Sequence, residues 1–374
     1  MEQHRQRPVI GEPGEPFSDV RRIAVLRGGG LGDLIFALPA VSALSAAYPE
    51  AAITLLGTPM HAALLAGRPG RVSAVEVLPV RHGIRDGEPD PEAEQAFLER
   101  MRAQHFDVAV QVHGGGRNSN PFLLELGARH TVGTRTPDAV ALERTIPYLY
   151  YQHEVLRGLE VVGLAGALPV DLEPRVALTE QEQSSRERVR AARANGAQPL
   201  LLIHPGATDP RRRWPADKFA EVAARVATAG AEVVVIGDDS DVEAAELIVE
   251  GARRRGAGAA VSSQAGRVPL GELVTLLAQG SAVLANDSGP RHLAQAVGTP
   301  TVGVFWFGNV VNAAPFGRAR HRIQISWTTH CPVCGRDATQ VGWTAERCEH
   351  DDSFVADVAT DAVLADVQDL LTLG

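Results

Sequence analysis

Asn286 to Pro300 read NDSGPRHLAQAVGTP and lie between two strongly apolar runs. Asp287 and Ser288 are capping residue types, and Pro290 suits the first turn of a helix. A helix starting there aims free backbone N–H groups and the positive end of its dipole outward, which suits an anion such as a diphosphate. Gly289 lets backbone approach closely, and His292, one turn in, can add a donor. The same residues also describe a well-capped helix with no ligand. A second loop, HPGATDPRRRWP from His204 to Pro215, follows the run LLLI. Gly206, Ala207 and Thr208 offer backbone and hydroxyl donors. Arg211, Arg212 and Arg213 cluster charge that cannot be titrated away and that matches phosphate oxygens in pairs. A triple arginine is also an ordinary solvated turn; its place before a helix, at the sheet edge expected for Asp287, favours phosphate.

Three further loops carry polar groups. GDDSD, Gly237 to Asp241, has the look of a metal-binding DxD, but acidic residues are favoured at a helix start in any case. Asp238, beside Gly237, is then a candidate for a ribose hydroxyl. In VLRGGGLGD, residues Gly28, Gly29, Gly30 and Gly32 clear space before a helix that opens with Asp33. A phosphate would suit the glycines and not the acid; a sugar hydroxyl suits both. Asp33 can act as a general base on an attacking hydroxyl, or simply cap the helix. VHGGGRNSN supplies His113 and Arg117, either for polyol recognition or as a plain turn.

Repeated strand–loop–helix units must position these loops. RRIAVL, AAITLLGT, VSAVEVLPV, FDVAVQV and HTVGTR read as strands of one α/β domain with a parallel sheet, with LIFALPAVSALSAAYP as its first helix. A charged amphipathic stretch, LTEQEQSSRERVRAARANGAQP, precedes a second set: LLLIH, AEVVVIG, AVLAND and TPTVGVFW. The division is expected between Asp171 and Ala197. The domains expected are 21–185 and 195–350, with residues 351–374 a terminal helix packing back on them. In open parallel sheets ligands sit at the carboxyl ends of the strands, where all five loops lie.

A chain of 374 residues is long for one core, in keeping with two domains. Its formal charge of −9 argues against nucleic acid as a partner. No apolar run is long enough to span a bilayer. Residues 1–20 are polar and proline-rich, read as a disordered leader and not a secretory signal. A cytoplasmic monomer is expected, with room for peripheral membrane contact.

In order, GGGLGD…LPAV…YP, HPGA…RRWP and NDSGPRHLAQAVGTP resemble the ADP-heptose:lipopolysaccharide heptosyltransferases, glycosyltransferase family nine, from Arg22 to Phe307. The resemblance implies a GT-B fold of two Rossmann-like parallel-sheet domains facing across a cleft. It implies inverting, metal-independent transfer from an ADP-activated sugar, heptose by family default, to a glycan or glycosylated metabolite. The N-terminal half would bind the acceptor, with Gly30, Gly32, His113 and Arg117 on that side, and the C-terminal half the donor. Asp33 matches the family's catalytic acid; Thr208, Asp287, Ser288, Gly289 and His292 match its nucleotide-diphosphate contacts. The family usually has Lys two residues before the Trp of WP, where this chain has Arg212. Rival readings are a nucleotide-sugar epimerase or hydrolase, and a non-catalytic binding protein of the same fold.

No cofactor is expected at the reacting centre. Cys331 and Cys334 have C-x2-C spacing, and Cys348 with His350 would complete a Cys3His set for structural zinc. Three reduced thiols in a connecting loop is the plainer alternative.

Overall fold

The computed structural model describes residues 9–339 and 346–372. Residues divide into two units, Met1–Ala177 and Leu178–Gly374. The division falls inside the expected segment, but the charged helix Glu180–Ala194 goes wholly with the second unit. Among the described residues, the first unit holds one parallel sheet in the order β3-β2-β1-β4-β5-β6. Its strands are β1 Arg22–Leu26, β2 Ala52–Gly57, β3 Ala74–Val77, β4 Val108–Gln111, β5 His130–Arg135 and β6 Arg144–Pro147. The second unit repeats that order as β9-β8-β7-β10-β11-β12. Its strands are β7 Leu200–His204, β8 Glu232–Val235, β9 Val261–Ser263, β10 Ala282–Asn286, β11 Thr301–Trp306 and β12 His321–Ser326.

Each order is that of dinucleotide-binding domains. The crevice at the reversal point lies between β1 and β4 in one sheet and between β7 and β10 in the other. Central strands are covered on both faces by helices, so their sequences run apolar without alternation: Ile23–Leu26 and Ala282–Asn286 are buried throughout. The second core takes in Leu201, Ile203, Phe219, Val233, Leu284 and Val302. Val363, Leu364, Val367 and Leu370 of the helix Thr360–Thr372 join it, so the terminal helix completes this unit.

One correction concerns the leader. Residues 1–8 lie outside the described residues, but part of 9–20 is packed. Phe17 and Val20 are buried. The Phe17 ring stacks on His130 at 4.0 Å, lies under the Arg144 guanidinium, and its N–H donates to the Tyr48 hydroxyl at 3.0 Å. One aromatic ring in a polar segment is enough to tie it down.

Candidate active site

In the first unit, Gly28 to Gly30 leave the end of β1 and enter the helix Leu31–Ala47. A side chain at Gly28 would strike the Ile84 carbonyl and the His113 ring. Gly29 has φ +88°, and a Cβ there would lie 2.4 Å from a carboxylate oxygen of Asp33. Gly29 therefore makes room for the acid itself. Asp33 is the third helical residue; its Oδ2 accepts from the Gly30 N–H at 2.8 Å, and its Oδ1 accepts from Arg27. Its side chain remains 43% exposed, so the carboxylate still faces solvent.

Two imidazoles, buried His61 and half-buried His113, clamp the loop. His113 Nδ1 accepts from the Gly28 N–H at 3.1 Å while Nε2 donates to the Gly83 carbonyl at 3.0 Å. His61 Nδ1 accepts from the Thr58 N–H, which leaves Nε2 to donate to the Gly30 carbonyl at 3.0 Å. Burial pushes both histidines below their ordinary range, so they stay neutral and hold these tautomers. His113, expected to meet an acceptor, spends both ring nitrogens on backbone. Arg117 is exposed and lies 3.5 Å from Asp138.

Arg27 is the buried centre of this corner. Its guanidinium donates to the Val112 and Asp33 carbonyls, to Asp33 Oδ1 and to Glu154 at 3.3 Å. Glu154 also accepts from buried Arg157. Burial works against the charge on Arg27, but Asp33 and Glu154 more than offset it and raise its pKa.

In the second unit, the loops after β7 and β10 interlock. Asn286 Oδ1 accepts from the Trp214 N–H at 3.0 Å and its Nδ2 donates to the Pro205 carbonyl. The helix Gly289–Ala296 starts one residue before the expected Pro290, with Ser288 at its N-cap. Neither Asp287 nor Ser288 caps it with a side chain, which corrects the sequence reading: both are drawn away by stronger partners. Ser288 Oγ lies 3.0 Å from His204 Nδ1, and His204 Nε2 lies 3.3 Å from Asp241. Asp287 is buried and accepts from His292 Nε2 at 2.9 Å, Asn309 at 2.8 Å and Arg212 at 3.2 Å. Burial alone would raise its pKa, but the His292 hydrogen bond and the nearby Arg212 and Arg291 charges hold it below the usual carboxylate range. Arg291 donates to His292 Nδ1 at 2.8 Å, fixing the His292 proton on Nε2 toward Asp287.

The triple arginine is not one patch. Arg211 is buried and forks onto Asp209. Arg213 donates to the Ala207 carbonyl at 3.0 Å. Arg212 alone reaches the start of the Gly289–Ala296 helix, with Thr208 exposed in the same loop. The GDDSD residues also separate. Asp238 is exposed and caps the turn by accepting from the Ser240 N–H. Asp241 turns inward under Gly206 and Gly237, where any Cβ would collide with it.

Cys331, Cys334, Cys348 and His350 offer ligand atoms within 4.8 Å of one another, a Cys3His set able to hold a metal. A tight turn presents the first pair: Gly335, at φ +69°, donates its N–H to the Cys331 carbonyl at 2.9 Å. Backbone hydrogen bonds from Cys334 and Val333 lower the Cys331 thiol to about 7. His350 Nδ1 is buried without a hydrogen-bond partner, a costly state for a nitrogen that does not ligate.

Two parallel sheets of this order, with their polar loops at the strand ends, define a GT-B fold. A glycosyl transferase family 9 structure from Veillonella parvula aligns with a TM-score of 0.71 at 17% identity, over 98% of this chain and 99% of its own. E. coli heptosyltransferase WaaC with ADP aligns with a TM-score of 0.66 at 18% identity, over 93% and 99%. Lipopolysaccharide heptosyltransferase 2 of Salmonella typhimurium is 26% identical over 305 residues, 76% of this chain and 82% of its own length. The profile of Glycosyltransferase family 9 (heptosyltransferase) matches residues 95–338, well over half of the chain, and the chain belongs to that family. It is a glycosyltransferase.

Sequence reasoning passed over Arg27, His61 and Asn309, gave His204 no role, and met Asp241 only as part of a DxD-like string that it set aside. Arg27 carried a signal: a cation ending a buried apolar strand needs a carboxylate partner nearby. The others lie on separate segments, and only the fold brings them to their partners.

Proposed function

We propose that this enzyme transfers a heptose from an ADP-activated donor to a lipopolysaccharide-type glycan acceptor, with inversion and without a metal at the reacting atoms. The observation that carries the reading is Arg212 meeting the N-terminus of the Gly289–Ala296 helix, 3.2 Å from Asp287. A donor diphosphate entering there takes hydrogen bonds from the helix N–H groups and from Arg212. Thr208 and Ser288 add hydroxyls, and Asp238 beside Gly237 serves the ribose. Asp287 is already saturated by three donors; its part is to hold His292, Asn309 and Arg212 in place. The leaving ADP gathers negative charge as the bond to the sugar breaks, and these prearranged positive groups stabilise it. They supply the charge that a divalent cation supplies elsewhere, so added Mg²⁺ is expected to leave the initial rate unchanged.

On the first unit, Asp33 takes the proton of the acceptor hydroxyl as its oxygen attacks the anomeric carbon opposite the leaving group. Arg27 and the Gly30 N–H orient the carboxylate, and exposed Arg117 is available to a polar acceptor. Cys331, Cys334, Cys348 and His350 would hold a zinc ion whose role is structural, since protein side chains fill all four positions and leave none for substrate. The reduced thiols suit a cytoplasmic enzyme.

Calorimetry with ADP tests the donor site. Arg212→Ala is expected to weaken ADP binding by ~10-fold or more, the loss of a charge-assisted contact. Unchanged affinity would return the loop to a solvated turn.

A further inference from the structure

The loop that carries Arg212 is held from outside by the segment that follows the Cys3His set. Phe354 donates its N–H to the Arg211 carbonyl at 2.7 Å, and Ser353 Oγ donates to the Arg213 carbonyl at 2.6 Å. The two residues flanking Arg212 are thus pinned by two consecutive residues. The Arg211 guanidinium lies over the Phe354 ring at 5.2 Å. Farther along, the Val358 carbonyl accepts from Trp214 Nε1 at 3.1 Å and from Lys218 at 2.9 Å. Arg347, next to Cys348, lies 3.8 Å from Asp209, the carboxylate that anchors Arg211.

Phe354 is in turn fixed by the cysteine region. It shares a small buried cluster with Cys331 and Ala338, against which Trp306 and Cys348 pack. So few apolar side chains cannot order a loop by burial alone, and small cores of this kind use metals as staples. The ligand positions Cys348 and His350 stand just before Ser353 in the chain.

We propose that a metal bound by Cys331, Cys334, Cys348 and His350 is the strut that presses Ser353 and Phe354 against the Arg211–Arg213 backbone and so presets Arg212 for an anionic ligand. Ser353 and Phe354 are positioning residues; neither touches the ligand. The proposal rests on the reading of Arg212 as the donor-diphosphate residue, while its mechanical part, metal to loop, stands independently of what Arg212 binds. An ordered loop binds more tightly because less freedom is lost on binding.

The test compares the full chain loaded with Zn²⁺, the same protein stripped by a chelator, and zinc-loaded Phe354→Ala and Phe354→Tyr. Hydrogen exchange of the Asp209–Trp214 amides is read by mass spectrometry, with β2 as an internal reference, and ADP binding by calorimetry. Stripping is expected to speed exchange in Asp209–Trp214 by ~10-fold or more, with β2 unchanged, and to weaken ADP binding by a similar factor. Phe354→Ala should do both while keeping one zinc per chain, and Phe354→Tyr should restore both. If stripping unfolds the second unit outright, loaded Phe354→Ala decides alone. Unchanged exchange in that variant, or a chain that takes up neither zinc nor iron in stoichiometric amount, overturns the strut. If exchange responds but the loaded wild type does not bind ADP, the strut stands and the donor reading fails.

Discussion

Asp33 accepts one hydrogen bond on each oxygen, from Gly30 and from Arg27. A carboxylate has about four acceptor positions, so room remains for a substrate hydroxyl. Asp33→Asn keeps the size and an acceptor for Gly30 but removes the basicity. Turnover should fall by ~10²-fold or more with ADP affinity unchanged; near-normal turnover removes Asp33 as the base. Gly29→Ala tests the space around it. The added methyl meets both a positive φ and the Asp33 carboxylate, so turnover should drop, and a variant as active as wild type shows that the acid's placement is not critical. The glycines, Asp33, Arg212 and the Asp287–His292 block were legible because their residue types advertise loops, charge and helix starts. Their partners were not: His61 pairs with Gly30 across 31 positions and Asp241 reaches His204 from another strand end, and no local pattern encodes such meetings.

Among the elements, apolar strands such as β1, β7 and β10 were readable as continuous runs. β6 (RTIP), β9 (VSS) and β12 (HRIQIS) were not: they are short or polar strands on the outer side of their sheets, where burial demands less of the sequence. The leader shows the opposite failure, polarity concealing one anchored ring. Phe17→Ala should cost about 3 kcal/mol of first-unit stability, the usual scale for emptying a buried aromatic site. Urea melts measure it, with ADP binding as the control that should not move. A change within error would show that the Phe17 ring is not what anchors residues 9–20.

For the molecule as a whole, acid sensitivity has several sources, among them the buried groups His61 and Asp287 described above, and His321 is one whose share can be weighed. His321 on β12 is held to about 4, first by burial and then by the Arg291 and Arg320 charges, against an ordinary 6.5. The unfolded chain takes up that proton first as pH falls. The contribution is therefore intact above about pH 6.5 and lost progressively toward pH 4. Between pH 7 and 5 wild type should lose about 2 kcal/mol more stability than His321→Gln, one pKa unit being about 1.4 kcal/mol; equal losses in denaturant melts would clear His321. Doubling of one α/β unit was legible from the repeated strand–loop–helix pattern, whereas strand neighbours were not, since order is a property of crossovers. That order has a consequence for synthesis. β1 pairs with β4 along the centre of its sheet, and their adjoining loop residues Gly28 and His113 are 85 positions apart. At translation rates of about 5–20 residues per second, roughly 4–17 s pass between emergence of the two strands from the ribosome. For that interval one edge of a strand that is apolar from Ile23 to Leu26 is unpaired, and the second half repeats the wait between β7 and β10. Each nascent half thus carries a bare strand edge for some seconds of its synthesis, and slower elongation lengthens the exposure.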